Sequence, residues 1–171
     1  YGVMLYNQLI MVKVNVDKAW ANIEVILKQR YDEIPKLIKV CEGYMQYEKA
    51  TLQKVVEMRT AFMNANTPGK MAAAEAGMAG ALKSLFAVSE NYPDLKANEN
   101  FKQLQGRVSY LESQIADRRE FYNESVGIFN QRIQQIPYVF VAGVMMLKQK
   151  EMFQASEEEK KSPDIKFDMP K

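Results

Sequence analysis
Five charged side chains interrupt the apolar stripes of this 171-residue chain, and their types suit acid, base or ligand chemistry: Asp17, Glu48, Arg59, Glu112 and Arg118. Glu48 and Arg118 stand near the middle of their helical segments, which lets the five share one layer of a bundle. Such a layer has two readings. It can be a hydrolytic or divalent-metal site between two helices, or Glu48 can pair with Arg118 or Arg119 to fix helix register. Buried ion pairs of the second kind contribute specificity more than stability. Di-iron bundles draw ligands from Glu-x-x-His motifs, and this chain has no His. The register reading is therefore preferred, and no catalytic, cofactor-binding or metal residue is assigned.

Composition narrows the chemistry further. Without His there is no general base with an unperturbed pKa near neutrality, no His-based triad and no imidazole ligand. Cys41 is the sole cysteine and falls on an apolar stripe, as a small buried hydrophobe does. Gly77 and Gly80 lie inside an Ala-rich stretch with no strand before it, so they form no phosphate loop and are assigned to helix packing. Lys and Arg number 23 against 21 Asp and Glu, a net charge of +2 that leaves no concentrated basic face for nucleic acid.

The elements that would hold these residues are helices, because apolar side chains recur in alternating steps of three and four. Leu5, Leu9, Val12, Val16, Trp20, Ile23 and Leu27 mark a first helix ending near Arg30. Asp32 then caps a second, with Pro35 in its first turn and a stripe from Ile34 to Phe62. Thr67 and Pro68 open a third, which ends at Tyr92 and Pro93. Asn98 caps a fourth, whose stripe steps through heptads from Phe101 to Ile136; counted from Asn98 to Ile136 it makes about 58 Å of helix. Pro137 ends it, and Tyr138 to Phe153 forms a short further helix. The expected fold is all-α: an antiparallel up-and-down bundle of four principal long helices over residues 1–153, followed by a solvated tail over 154–171.

The uncharged runs Tyr1 to Val12 and Ile133 to Leu147 are both too short to cross a bilayer, and the second, broken by Pro137 and Gly143, reads as a buried or interfacial segment. The first carries more apolar side chains than one bundle seam can bury. The native chain is therefore expected to continue upstream into a membrane span, with the end holding Val3 and Met4 nearest the lipid.

Specific short stretches add a resemblance. They are Tyr6-Asn7, Ala19-Trp20, Leu27 to Asp32 with Ile34 to Leu37, Gly43-Tyr44 with Glu48, and Glu90 to Asn98 with Phe101. They continue through Leu104-Gln105, Glu112, Arg119, Tyr122-Asn123, Asn130 and Ile136-Pro137. In order and spacing, from Tyr6 to Phe153, this pattern resembles the LemA family; Gln29, Lys36 and Ile136 depart from it, standing where Arg, Asn and Phe are commoner. The resemblance implies a bacterial helical bundle held in the cell membrane by one preceding transmembrane helix, with no established biochemical activity and no catalytic residues to carry over. A cytoplasmic domain is the common description. The expected role is a noncatalytic interaction or scaffold module with an envelope protein partner; the alternative is a carboxylate and arginine enzyme with its site between the second and fourth helices.

Overall fold
The computed structural model describes residues 1–154, and among them every regular element is a helix. These are α1 (Gly2–Glu42), α2 (Lys49–Asn64), α3 (Pro68–Ser89), α4 (Pro93–Ala97), α5 (Glu99–Arg132) and α6 (Tyr138–Val144). The all-α class read from periodicity is what the chain adopts. The tail expected over 154–171 lies, from residue 155 on, outside the described residues.

The first boundary differs from expectation. Helix α1 does not stop near Arg30; it continues through Asp32 and Pro35 to Glu42. Its 41 residues make a rod of about 60 Å. Proline inside a helix removes one donor, here the one that would serve the Tyr31 carbonyl, and ordinarily costs about 3 kcal/mol. Arg59 of α2 compensates. Its Nε donates to the Tyr31 carbonyl at 3.5 Å, and its guanidinium lies 4.0 Å from the Tyr31 ring centre. The chain reverses instead at 43–48, where the fully buried Met45 plugs the turn and donates its N–H to the Cys41 carbonyl.

Helix α5 lies antiparallel to α1, as the pairs Asn22–Arg118 and Glu33–Arg107 show, and Tyr138 at the start of α6 meets Gln8 farther toward the same end. The α2–α3 hairpin covers this rod from about residue 24 onward, and at its tip the Gly69 N–H donates to Glu151 Oε1 at 3.0 Å. Thr67 and Asn98 cap α3 and α5 as expected, accepting from the Lys70 and Phe101 N–H groups. A Cβ on Gly77 would run into the Met58 side chain, so helix packing explains this glycine. One on Gly80 would meet open space, and packing does not. By length and composition α3 is also apolar enough to cross a membrane. Here it packs as a bundle helix, burying Ala72, Met78, Leu82 and Leu85.

Helix α5 ends at Arg132, and the last helix is shorter than the expected Tyr138–Phe153. Met146, at φ 53°, closes α6. The Met146 and Leu147 N–H groups bond back to the Gly143 and Ala142 carbonyls, the paired bonds of a Schellman cap. That left-handed residue turns the chain so that 148–153 runs back along α5 as an extended strap.

Candidate functional site
Apolar side chains form two clusters, and charges separate them. On α1 one cluster ends at Leu27 and the other begins at Ile34; on α3 the corresponding residues are Ala72 and Met78. Between them stand Arg30, Glu33 and Glu75, all buried. Arg30 Nη1 donates to Glu75 Oε1 at 3.0 Å, joining α1 to α3. Arg119 of α5 reaches Glu75 Oε2 at 4.0 Å. One turn along, Arg107 Nη1 lies 3.0 Å from both oxygens of Glu33, and Lys36 lies 3.4 Å from its Oε1. This charged belt ties α1, α3 and α5 at mid-length.

Glu112 is its least satisfied member. Its Oε1 is buried with no hydrogen-bond partner, and Arg30 Nη1 approaches only to 3.9 Å. Burial pushes its pKa up; Arg30 pulls it down less strongly, and the negative Glu75 adds to the rise. Glu75, Glu112, Ile115, Arg119 and Glu120 line an open cleft of about 380 Å³ beside it. A carboxyl of raised pKa near an arginine is the material of general acid catalysis. Here, however, Arg30, Glu33, Glu75 and Arg107 are each engaged in bonds between helices. Among the described residues, no three Asp, Glu or Cys side chains converge as metal ligands.

The expected layer around Glu48 and Arg118 does not form. Glu48 is the N-terminal cap residue of α2, half-buried at the far end of the rod, and accepts from the Tyr92 hydroxyl at 3.3 Å. Arg118 donates to the Asn22 carbonyl at 3.3 Å. Some twenty residues of α1 separate the two levels, about 30 Å. Asp17 pairs with Lys150 at 3.5 Å and Arg59 serves Tyr31, so only Glu112 and Arg119 of the residues considered belong to the belt. Arg30 and Glu75 were missed, although both keep step with their stripes: Leu27, Arg30, Ile34, Leu37 on α1, and Ala72, Glu75, Met78, Leu82 on α3. Cys41 is fully buried, and burial pushes its thiol up to about 12. It is inert at neutral pH.

Other residues of the resemblance hold the ends together. Tyr44 and Asn98 meet at 3.1 Å beside the Glu48–Tyr92 bond, pinning the α1–α2 turn to the start of α5. At the opposite half, Asn123 and Asn130 grip the strap. Asn130 Nδ2 donates to the Lys150 carbonyl at 2.9 Å, and its Oδ1 accepts from the Lys150 N–H at 2.7 Å. Asn123 makes the same two-way pair with Phe153. Seven helical residues and three extended ones both span about 10 Å, so the two asparagines match the two strap positions. The Tyr122 hydroxyl adds a bond to the Glu151 carbonyl at 2.9 Å, and Trp20 packs against Tyr122 and Phe153.

The architecture is therefore that of an all-α rod whose polar residues mostly lock its helices and strap. The family model for the LemA family matches residues 19–167, and the chain belongs to that family. It is 28% identical to Protein LemA of Metamycoplasma hominis, over 92% of this chain and 73% of the relative. It is also similar to magnetosome proteins: 23% identical to MamQ 2 of Paramagnetospirillum magneticum and 21% to MamQ of Magnetospirillum gryphiswaldense. Each match covers 88% of this chain but only 65% of the relative's length.

Proposed function
We propose that the chain is the bundle of a membrane-tethered, noncatalytic helical module that positions or scaffolds other proteins of the bacterial envelope. The observation that carries this reading is the start of α1, where Tyr1, Val3, Met4, Tyr6 and Met11 are exposed while Leu5, Leu9 and Val12 are buried. A helix start whose exposed side is largely apolar, broken by Asn7 and Gln8, is best accommodated where something covers that side. A bilayer span continuing upstream from α1 would supply that cover. The engagement of Arg30, Glu33, Glu75 and Arg107 in helix-to-helix bonds supports a structural belt rather than a reaction centre. Full-length protein is expected to stay with membranes through high salt and alkaline carbonate. Its release into the soluble fraction would refute the tether.

A further inference from the structure
Helix α6 has two apolar faces, and the core uses one. Tyr138, Val141, Ala142 and Met145 follow helical spacing and pack on the cluster of α1 and α5, while the Tyr138 hydroxyl bonds to Gln8. Phe140 and Val144, four residues apart, line the opposite side and are 69% and 86% exposed, and Ile136, in the turn just before the helix, is 79% exposed. No charge occurs from Ile133 to Leu147, or from Tyr1 to Val12, which the Gln8–Tyr138 bond places at the same end of the rod. The first charged residues bordering these two runs are all basic: Lys13, Arg132 and Lys148.

We infer that the outer face of α6 is a lipid-binding surface, which seats the end of the rod in the headgroup region of an anionic bilayer. Seven residues make about 10 Å of helix, too short to span and suited to lying in the interface. The basic border complements anionic headgroups, whereas a second copy of this chain would bring the same basic residues against it. The inference rests on the membrane-tethered reading and adds a second contact, made by a segment more than a hundred residues from the tether in sequence.

The test uses the 171-residue chain and vesicles of phosphatidylglycerol and phosphatidylcholine. Wild type is expected to float with these vesicles, and less with phosphatidylcholine alone. Phe140→Asp with Val144→Asp should weaken flotation by at least about tenfold, since two apolar side chains leave the lipid. Helix content and thermal midpoint should stay unchanged, because both positions face outward. An environment-sensitive dye on Val144→Cys should brighten when anionic vesicles are added; this second readout does not depend on the double variant folding. Absent flotation of wild type, equal flotation of the variant, or a solution dimer abolished by the two substitutions would overturn the inference. The tether is scored separately, by carbonate extraction of full-length protein carrying the same substitutions. Retention with lost flotation of the isolated variant supports both contacts, and release of wild-type full-length protein sinks the tether alone.

Discussion

The side-chain amide of Asn123 and the backbone of Phe153 form a two-way pair, donating to the carbonyl at 3.2 Å and accepting from the N–H at 2.7 Å. A side chain on α5 thereby replaces the neighbouring strand that the strap lacks. Because Phe153 is fully buried, its backbone groups would have no ready substitute partner. Asn123→Ala is expected to cost about 2 to 3 kcal/mol in urea unfolding, the net worth of two bonds plus unsatisfied groups. Phe153→Ala should cost about 3 to 5 kcal/mol. The double variant should lose less than the sum, since either change frees the same strap.

Breaking the belt should be worse than replacing it. Glu75→Ala strands the buried Arg30 guanidinium and is expected to cost about 3 to 5 kcal/mol. Arg30→Met with Glu75→Met removes both charges and keeps volume, and should be more stable than either single variant. A double variant less stable than both singles would mean the belt holds more than helix register.

Glu112 supplies a pH dependence of definite sign. Its pKa in the folded chain is raised, mainly by burial, so the native state favours the protonated carboxyl more than the unfolded chain does. Its contribution to stability is fully present below the unfolded carboxyl range and is lost as pH rises through the folded value. Glu112→Gln, which stays neutral, should therefore match wild type in acid and melt at a higher temperature near neutrality. A constant difference across that range would place the cause elsewhere.

Met146 carries a left-handed backbone with a side chain that is 85% exposed. Met146→Gly removes the Cβ penalty at little loss of packing, and should stabilise the chain by up to about 1 kcal/mol in urea unfolding.

Helical periodicity made the fold class legible, and cap chemistry located the starts of α3 and α5 at Thr67 and Asn98. The α1–α2 turn was not legible, because Asp32 and Pro35 have the chemistry of a helix start. The Tyr31 carbonyl that Pro35 leaves without its donor is met by Arg59, more than twenty residues away, and local rules do not see such a contact. The belt was misassigned for the same reason: a helix ended at Arg30 turns a buried stripe position into a terminus. Once α1 is read as continuous, the steps Leu27, Arg30, Ile34 and Leu37 place a charge on its core face. The uncharged run from Ile133 to Leu147 reads as a buried or interfacial segment, and only the structure separates the residues of α6 that pack on the core from Phe140 and Val144, which do not.

A rod seated on the bilayer by the end holding α6 has its α1–α2 turn farthest from the lipid. Cys41 is buried and inert, so single cysteines introduced elsewhere can be read without removing it. Full-length protein carrying Tyr47→Cys or Val144→Cys should be treated with a membrane-impermeant maleimide in opened membranes that expose both faces. Tyr47 is 93% exposed and Val144 86%, so the isolated chain should label at similar rates at both positions. In membranes, position 47 should label as fast as in the isolated chain, while position 144 should be protected until detergent is added. Equal labelling of the two positions in membranes would contradict this seating of the rod.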